Sequence, residues 1–257
     1  ADANGAWTAS YAPAQIDAGT YTLNFTAEAT DTAGNAASAT GTVAVDTELA
    51  VTVDTENITS DNVVNAVERN DGLTLDGTTE AGATVEVEFN GVTVITTANS
   101  SGEWSADWSA SDIPTGELSK SVSVKSTDAA GNVATTSGVV EIDTFVNNLE
   151  FDGSEVEGEN VVNNAEAADG VTLGGSVESG STVSVTYSDG SGGTVTKDAT
   201  VSLSGTWTVT FDGDEIPAGE YEATVAVTAT DAAGNTSQIS DTFDVDTVAP
   251  DAPQIIN

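Results

Sequence analysis

The 257-residue sequence contains no cysteine and no histidine. Their absence excludes disulfide bonds, thiol chemistry and zinc sites of the usual kind. It also excludes nucleophilic catalysis by Ser-His or Cys-His pairs. No run of 18 apolar residues is present, so the sequence predicts no membrane-spanning helix.

Basic residues are almost as scarce. Only Arg69, Lys120, Lys125 and Lys197 oppose 42 aspartates and glutamates, which gives a formal net charge of −38. This charge repels nucleic-acid phosphates and anionic membrane surfaces, so neither is expected as a partner. It also opposes a compact state unless cations screen or bind it. A disordered acidic tail would carry such a charge, but here apolar alternation and turn signals continue along the whole chain.

The strongest positive feature of the sequence is an internal repeat. Trp7, Trp104 and Trp207 occur in similar tetrapeptides at spacings of 97 and 103 residues. Two further signatures recur with the same spacings, namely Asp-x-Ala-Gly-Asn from Asp31, Asp128 and Asp231, and Asp-Thr from Asp46, Asp143 and Asp246. The block that begins at Asp61 recurs at Glu159, 98 residues later, so five additional residues enter between Tyr187 and Trp207, around "SDGSGGTVTKD". Gly-Ser clusters of this kind are typical of a hairpin tip.

The phase of the repeat predicts the domain bounds. We expect the C-terminal half of a repeat at 1–47, complete repeats at 48–144 and 145–247, and the start of a further repeat or linker at 248–257. Half a repeat cannot close a sandwich, so apolar side chains should be uncovered at Tyr21, Leu23, Phe25, Val43 and Val45. Missing upstream residues or another chain would then complete that domain. Any export signal is expected to lie outside this fragment.

Each complete repeat shows period-2 alternation interrupted by turns about every ten residues. Its pattern predicts about seven short strands, the first being "VTVD" at 51–54, which is typical of an Ig-like β-sandwich. The predicted fold class is therefore all-β, with tandem Ig-like domains arranged head to tail as a rod. Trp104 and Trp207 are expected to anchor the cores rather than to bind a ligand.

Ig-like connectivity also predicts where the acidic residues lie. The Asp-x-Ala-Gly-Asn loop and the turn at Glu80 or Glu178 should share the end where the chain enters a repeat, here called the leading end. The loop between the first two strands and the closing Asp-Thr should share the opposite, trailing end. Head-to-tail stacking would then bring Asp46 to Glu80, Asp128 and Asn132 near residue 47, and Glu68, Asp71 and Asp143 to Glu178, Asp231 and Asn235 near residue 144. Asp246 closes the second complete repeat in the same way.

Carboxylates held this close repel one another unless a hard cation joins them. Calcium takes six to eight oxygen ligands, and a donor set of Asp, Glu and Asn without His or Cys suits calcium rather than zinc. The alternative is that Asp-x-Ala-Gly-Asn only forms a tight turn, since Gly and Asn accept positive φ and Asp accepts backbone N–H bonds. Other carboxylates, such as Glu86, Glu88 and Glu117, are expected to be solvated strand faces.

Five segments carry a resemblance that covers nearly the whole chain: "ITSDNVVNAVE", "GTTEAGATVEV", "SGEWS", "TDAAGN" and "IDT". They resemble the tandem bacterial Ig-like repeats of large biofilm-associated and RTX-type secreted adhesins. The resemblance implies type I secretion, an extracellular location at the bacterial cell surface, and calcium at the domain junctions. The ligands it implies are Asp46, Asp128, Asn132, Asp143, Asp231 and Asn235, with Glu68 and Glu166 of the family's Asn-x-x-Glu loop as secondary candidates.

The function expected first is therefore a calcium-stiffened spacer that supports adhesion and biofilm formation. Its partners would be neighbouring repeats of the same chain, with surface or glycan ligands bound by other domains. An alternative is an adhesin module that binds a glycan or host surface directly, which predicts an exposed aromatic platform or a loop that breaks the repeat. An enzyme is not expected, because a two-carboxylate glycosidase site should not recur in every repeat. Homotypic cell contact through the repeat faces would require calcium to offset the charge.

Overall fold

A computed structural model describes residues 1, 2 and 4–253 of the chain. Its regular structure is nearly all β-strand, as the sequence predicted. Within these residues, no helix has the length and apolar character needed to cross a membrane. The chain divides into two compact units: unit 1 is Ala1–Glu56, Thr74–Trp108 and Lys120–Val139, and unit 2 is Asn57–Leu73, Ser109–Ser119 and the described residues from Val140 onward. Residues 254–257 of the predicted final linker lie outside the described part.

Residues 20–46 form a single hairpin. A 3-10 turn at Pro13–Gln15 precedes strands β1 (Thr20–Thr30) and β2 (Ala36–Asp46), which pair antiparallel over their full length. Tyr21, Leu23 and Phe25 on β1, and Val43 and Val45 on β2, lie at every second position, so one face of the hairpin is more apolar than the other.

The apolar face of this hairpin is only partly covered. Tyr21, Leu23 and Phe25 are half-buried, and Val43 is exposed, as expected for half a repeat. The expectation was wrong for Val45, which is buried at 9% exposure.

Residues 48–144 contain one short helix and seven strands. The elements are β3 (Val63–Val64), α1 (Ala66–Asp71), β4 (Leu73–Thr78), β5 (Thr84–Phe89), β6 (Val92–Thr97), β7 (Glu103–Trp108), β8 (Glu117–Thr127) and β9 (Val133–Asp143). The sheets are β4-β7 and β3-β9-β8-β5-β6, with β3 and β9 parallel.

Residues 145–247 repeat this plan with additional strands. The elements are β10 (Glu150–Phe151), a 3-10 turn (Val156–Gly158), β11 (Val161–Asn163), α2 (Asn164–Asp169), β12 (Val171–Ser176), β13 (Thr182–Ser188), β14 (Thr194–Asp198), β15 (Thr200–Val201), β16 (Thr206–Phe211), β17 (Glu220–Thr230) and β18 (Thr236–Asp246). Two sheets result, β10-β12-β16-β15 and β11-β18-β17-β13-β14.

The core of residues 145–247 lies between these two sheets, as in an Ig-like sandwich. Trp207 on β16 has no exposed surface and meets Phe151 edge to face, with ring centroids 5.8 Å apart. Trp104 on β7 is 3% exposed, so both predicted core anchors are confirmed.

A glycine lies beneath each of these tryptophans. A Cβ on Gly175 would sit 2.7 Å from the Trp207 ring and 2.0 Å from the Glu150 carbonyl oxygen. A Cβ on Gly77 would meet the Trp104 ring at 2.7 Å and the Thr52 carbonyl at 2.1 Å. The close strand approach therefore requires glycine, which explains why "LDG" and "LGG" precede the two leading-end turns.

Two local predictions were wrong. The expected strand at 51–54 is reduced to a single bridge between Asp54 and Asp76. The expected loop at 65–71 contains helix α1, which begins after Asn65 because the Asn65 side chain accepts from the backbone N–H groups of Val67 and Glu68. This arrangement is a capping box.

Candidate metal centres

Each Asp-x-Ala-Gly-Asn motif forms the turn of a hairpin. The Asp128 carboxylate accepts from the backbone N–H of Gly131 and Asn132 at 2.7 and 2.8 Å, and from Asn132 Nδ2 at 2.7 Å. The Asp231 carboxylate accepts the same pair of bonds from Asn235, both at 2.8 Å. The glycine has φ between +88° and +94° in all three copies, a region that favours glycine. The predicted turn chemistry is present.

In the copies of this turn at Asp31 and Asp128, hydrogen bonds favour the ionised form of the aspartate. Burial alone would raise the pKa of Asp128, but the hydrogen bonds from Asn132 and the loop backbone hold that pKa below its ordinary value. The hydrogen bond from the Asn35 side chain is the main cause of a lowered pKa for Asp31. A carboxylate that stays ionised is available to a cation.

The first acidic cluster lies in unit 1 and consists of Asp46, Glu80 and Asp128. One carboxylate oxygen from each residue lies within 4.8 Å of the other two. Asp46 ends β2, Glu80 follows β4 and Asp128 follows β8. Asn132 Nδ2 donates to the Asp46 carbonyl at 3.2 Å. The structure therefore brings together all four residues that the sequence grouped near residue 47.

The second acidic cluster lies in unit 2 and consists of Glu117, Asp143 and Glu178, with oxygens again within 4.8 Å of one another. Asn147 ties two of these side chains together: its backbone N–H donates to Glu178 Oε2 at 3.1 Å and its Nδ2 donates to Glu117 Oε2 at 2.8 Å. Asp143 and Glu178 were expected here. Asn147 was not identified from the sequence.

The pKa of Asp143 is raised by its position in this cluster. Burial raises the pKa of its carboxyl, and the charges of Asp231 and Glu178 raise it further, against one hydrogen bond from the Phe145 N–H that lowers it. Negative charge is therefore disfavoured at Asp143 unless a cation compensates it.

Glu117 corrects the sequence interpretation, which treated it as a solvated strand face. Its side chain is exposed, but its carboxylate belongs to the second cluster. The strand pairing of the other two hairpins indicates why Glu117 lies here: Thr20 lies opposite Asp46, and Glu220 lies opposite Asp246. The residue that begins the eleven-residue strand β8 should likewise adjoin the residue that ends β9.

The remaining predicted ligands lie outside these groups among the residues that the structure describes. Glu68 Oε2 accepts from the Asn65 N–H at 3.0 Å within the capping box, and Asp71 ends α1. Glu166 makes the same capping contact with Asn163 at 2.9 Å. Asp231 influences Asp143 electrostatically but is bonded to Asn235. Asp246 accepts from the Val248 N–H at 3.1 Å.

The donors in both clusters fit a hard cation. Every grouped atom is a carboxylate oxygen, with an amide side chain beside each cluster. Calcium prefers such oxygens and tolerates irregular geometry, with carbonyl oxygens and water completing six to eight ligands. The net charge of −38 also favours cation binding, because bound cations reduce the repulsion between the carboxylates.

The insertion in residues 145–247 gives no aromatic platform. Residues 188–194 form the tip of the β13–β14 hairpin, where the Asp189 carboxylate accepts from the Ser191 and Gly193 N–H groups at 2.8 and 2.9 Å. Tyr187, the aromatic residue beside it, is 2% exposed, and its hydroxyl lies 2.7 Å from the Tyr221 hydroxyl. The exposed aromatic platform that the direct-binding alternative predicts is therefore missing at this insertion, although the insertion itself is a loop that interrupts the repeat.

Comparisons with known proteins agree with this architecture. Residues 149–247 match the family model described as bacterial Ig-like domain. A structure of a 1.5-MDa bacterial ice-binding adhesin, reported in connection with host cell surface retention, is 29% identical, with 88% of this chain and 75% of that chain covered and a TM-score of 0.55. No curated protein sequence matches the chain.

Two further solved structures are similar over different lengths. A Ca2+-stabilised adhesin that helps an Antarctic bacterium reach out and bind ice is 33% identical, with 97% of this chain and 62% of that chain covered and a TM-score of 0.48. A bacterial immunoglobulin-like domain from the M. primoryensis ice-binding adhesin is 39% identical, with 37% of this chain and 94% of that one covered and a TM-score of 0.29.

Proposed function

Because the chain belongs to the bacterial Ig-like domain family, we propose that it is a spacer segment of a large bacterial cell-surface adhesin. Its repeats at 48–144 and 145–247 would stack head to tail as a rod. The rod would hold a binding domain away from the cell and thereby support adhesion and biofilm formation. The similarity to a segment of a very large ice-binding adhesin supports this proposal, which includes export by type I secretion and an extracellular location.

The observation that carries the proposal is the recurrence of the acidic cluster. Asp46 and Asp143 each end a long strand immediately before a new repeat, and Glu80 and Glu178 follow corresponding strands of that new repeat. Both clusters therefore join residues on the two sides of a predicted repeat boundary. A module that binds a partner directly through one surface would not require an acidic cluster at each repeat boundary.

Calcium would act on these boundaries in two ways. A divalent cation offsets the mutual repulsion of three carboxylates, which is strong at separations below 5 Å. It also fixes the closing strand of one repeat to the turns of the next. Rigid linkers keep reach proportional to the number of repeats, whereas the reach of flexible linkers grows only with its square root. Calcium at the boundaries thus suits the spacer role.

Small-angle X-ray scattering tests the spacer proposal directly. The maximum dimension of the chain should be sharply defined with calcium, and removal of calcium by EGTA should change it and broaden the distance distribution, since the repulsive clusters then favour bent linkers. Both samples need about 0.15 M NaCl so that general screening is the same. Identical distance distributions in the two conditions would rule out the calcium-stiffened spacer.

A further inference from the structure

A second contact within unit 2 joins helix α1 to the turn formed by residues 231–235. Asn65 Nδ2 donates to the Ala233 carbonyl oxygen at 2.9 Å. In the reverse direction, the Ala66 N–H donates to Asn235 Oδ1 at 2.8 Å. These partners are 168 and 169 residues apart in sequence, so folded structure, not chain connectivity, brings them together.

The Asn235 amide is fully occupied by this arrangement. Its Nδ2 donates to Asp231 Oδ2 at 2.8 Å and to the Asp143 carbonyl at 3.0 Å, while its Oδ1 accepts from Ala66. Asn235 is 5% exposed. A buried amide with both donors and its acceptor satisfied is a built contact. It connects α1, the end of β9 and the Asp-x-Ala-Gly-Asn turn.

The equivalent turn in unit 1 shows what α1 contributes. Asn132 makes the corresponding bonds through Nδ2, to Asp128 and to the Asp46 carbonyl. Asn132 is only half-buried and Ala130 is exposed, whereas Ala233 is 8% exposed. The burial of Ala233 and Asn235 in this turn thus occurs together with the contact to α1.

Helix α2 supplies an internal comparison. Asn163 caps α2 as Asn65 caps α1, accepting from the N–H groups of Ala165 and Glu166. Within the described residues, the hydrogen bonds of its side chain lie in its own capping box, and its backbone pairs with Asp246 of β18. Capping alone therefore does not require the Asn65 contact with Ala233, which is a separate use of the same side chain.

We propose that Asn65, Ala66, Ala233 and Asn235 form a latch between the two predicted complete repeats, and that this latch needs no metal. The latch fixes α1 of one repeat against the turn of the next, and through Asn235 it also positions the Asp143 backbone beside the second acidic cluster. Asn65 is thus a positioning residue of the junction. The latch stands independently of calcium, because all of its bonds are between protein atoms.

The test uses matched substitutions in the full chain. Asn65→Asp keeps a capping oxygen, since Asp and Asn are equivalent at this position, but replaces the donor to Ala233 with an acceptor. Asn163→Asp makes the same change of charge and the same cap in α2. Because the chain has no native cysteine, nitroxide labels can be placed uniquely at Ile95→Cys and Leu203→Cys, whose native side chains are 68% and 99% exposed.

Pulsed EPR distance distributions are then recorded in EGTA. Asn65→Asp should broaden the distribution, with displaced conformations increased about fivefold, the order expected for loss of one hydrogen bond. Asn163→Asp should match the labelled parent. Equal distributions for the two variants in EGTA would overturn the latch. If circular dichroism shows that Asn65→Asp is unfolded, Asn65→Ser and Asn163→Ser repeat the comparison with a neutral capping residue.

Repeating the measurement with saturating calcium separates the two proposals. If calcium leaves every distribution unchanged, the calcium-stiffened spacer fails, while the contrast between Asn65→Asp and Asn163→Asp still decides the latch. If calcium narrows all distributions but the two variants never differ, the latch fails and the calcium proposal stands.

Discussion

Removal of calcium should lower the Tm of the chain by about 10 to 20 °C. A ligand at 100 times its Kd stabilises the folded state by about 2.7 kcal/mol per site. For a domain of roughly 100 residues, 1 kcal/mol corresponds to about 4–8 °C in Tm. With one cation at each acidic cluster, each predicted complete repeat is stabilised to this extent, and thermal melting followed by circular dichroism or calorimetry measures it.

General screening must be separated from specific binding in this experiment. A net charge of −38 makes any added salt stabilising, because the charges repel one another. A background of about 0.15 M NaCl reduces the Debye length to about 8 Å, so millimolar calcium adds little further screening. A Tm that responds equally to calcium and to the same ionic strength of NaCl would contradict specific sites.

The substitution Asp143→Asn should change Tm in opposite directions with and without calcium. The pKa of Asp143 is raised by burial and by the neighbouring Asp231 and Glu178 charges, so its ionised form costs stability in the absence of a cation. This cost is absent below the ordinary pKa of 3.8 and appears as pH rises through the raised folded pKa. A neutral Asn should therefore raise Tm in EGTA. With calcium it should lower Tm, because a charged ligand is lost.

Isothermal titration calorimetry should measure the effect of Asp143→Asn on calcium affinity directly. Calcium affinity at the second cluster should fall at least about tenfold, the order seen when even the hydrogen-bond partner of a metal ligand is removed. The first cluster, which lacks Asp143, should keep its affinity. Glu88→Gln is the matched control, because Glu88 is exposed on β5 and outside both clusters. Equal shifts for the two variants would indicate only a change in net charge.

The sequence predicted those parts of the fold that depend on local pattern. Fixed spacing of Trp104 and Trp207 identified two equivalent cores, and both residues are buried. Period-2 alternation predicted most of the strands. It could not predict α1, because a six-residue helix is less than two turns long and shows no apolar period. The Asn-x-x-Glu pattern at Asn65 was instead attributed to secondary metal ligands.

The candidate site was predicted where sequence order and Ig-like connectivity determine position. Asp46, Glu80 and Asp128 could be grouped because each lies at a strand end. Glu117 was missed because its membership depends on the pairing register of β8 with β9 and not on any motif in the sequence around it. The contact between Asn65 and Ala233 depends on the orientation of a helix and a turn that are 168 residues apart, and no local pattern contains that information.

The most direct test of the central claim is a crystal structure of the chain grown with calcium. An anomalous difference peak should lie at each acidic cluster, one among Asp46, Glu80 and Asp128 and one among Glu117, Asp143 and Glu178. Each ion should have six to eight oxygen ligands at about 2.3–2.6 Å. Two clusters without anomalous density at saturating calcium, with their carboxylates turned apart into solvent, would contradict calcium clamping at the junctions.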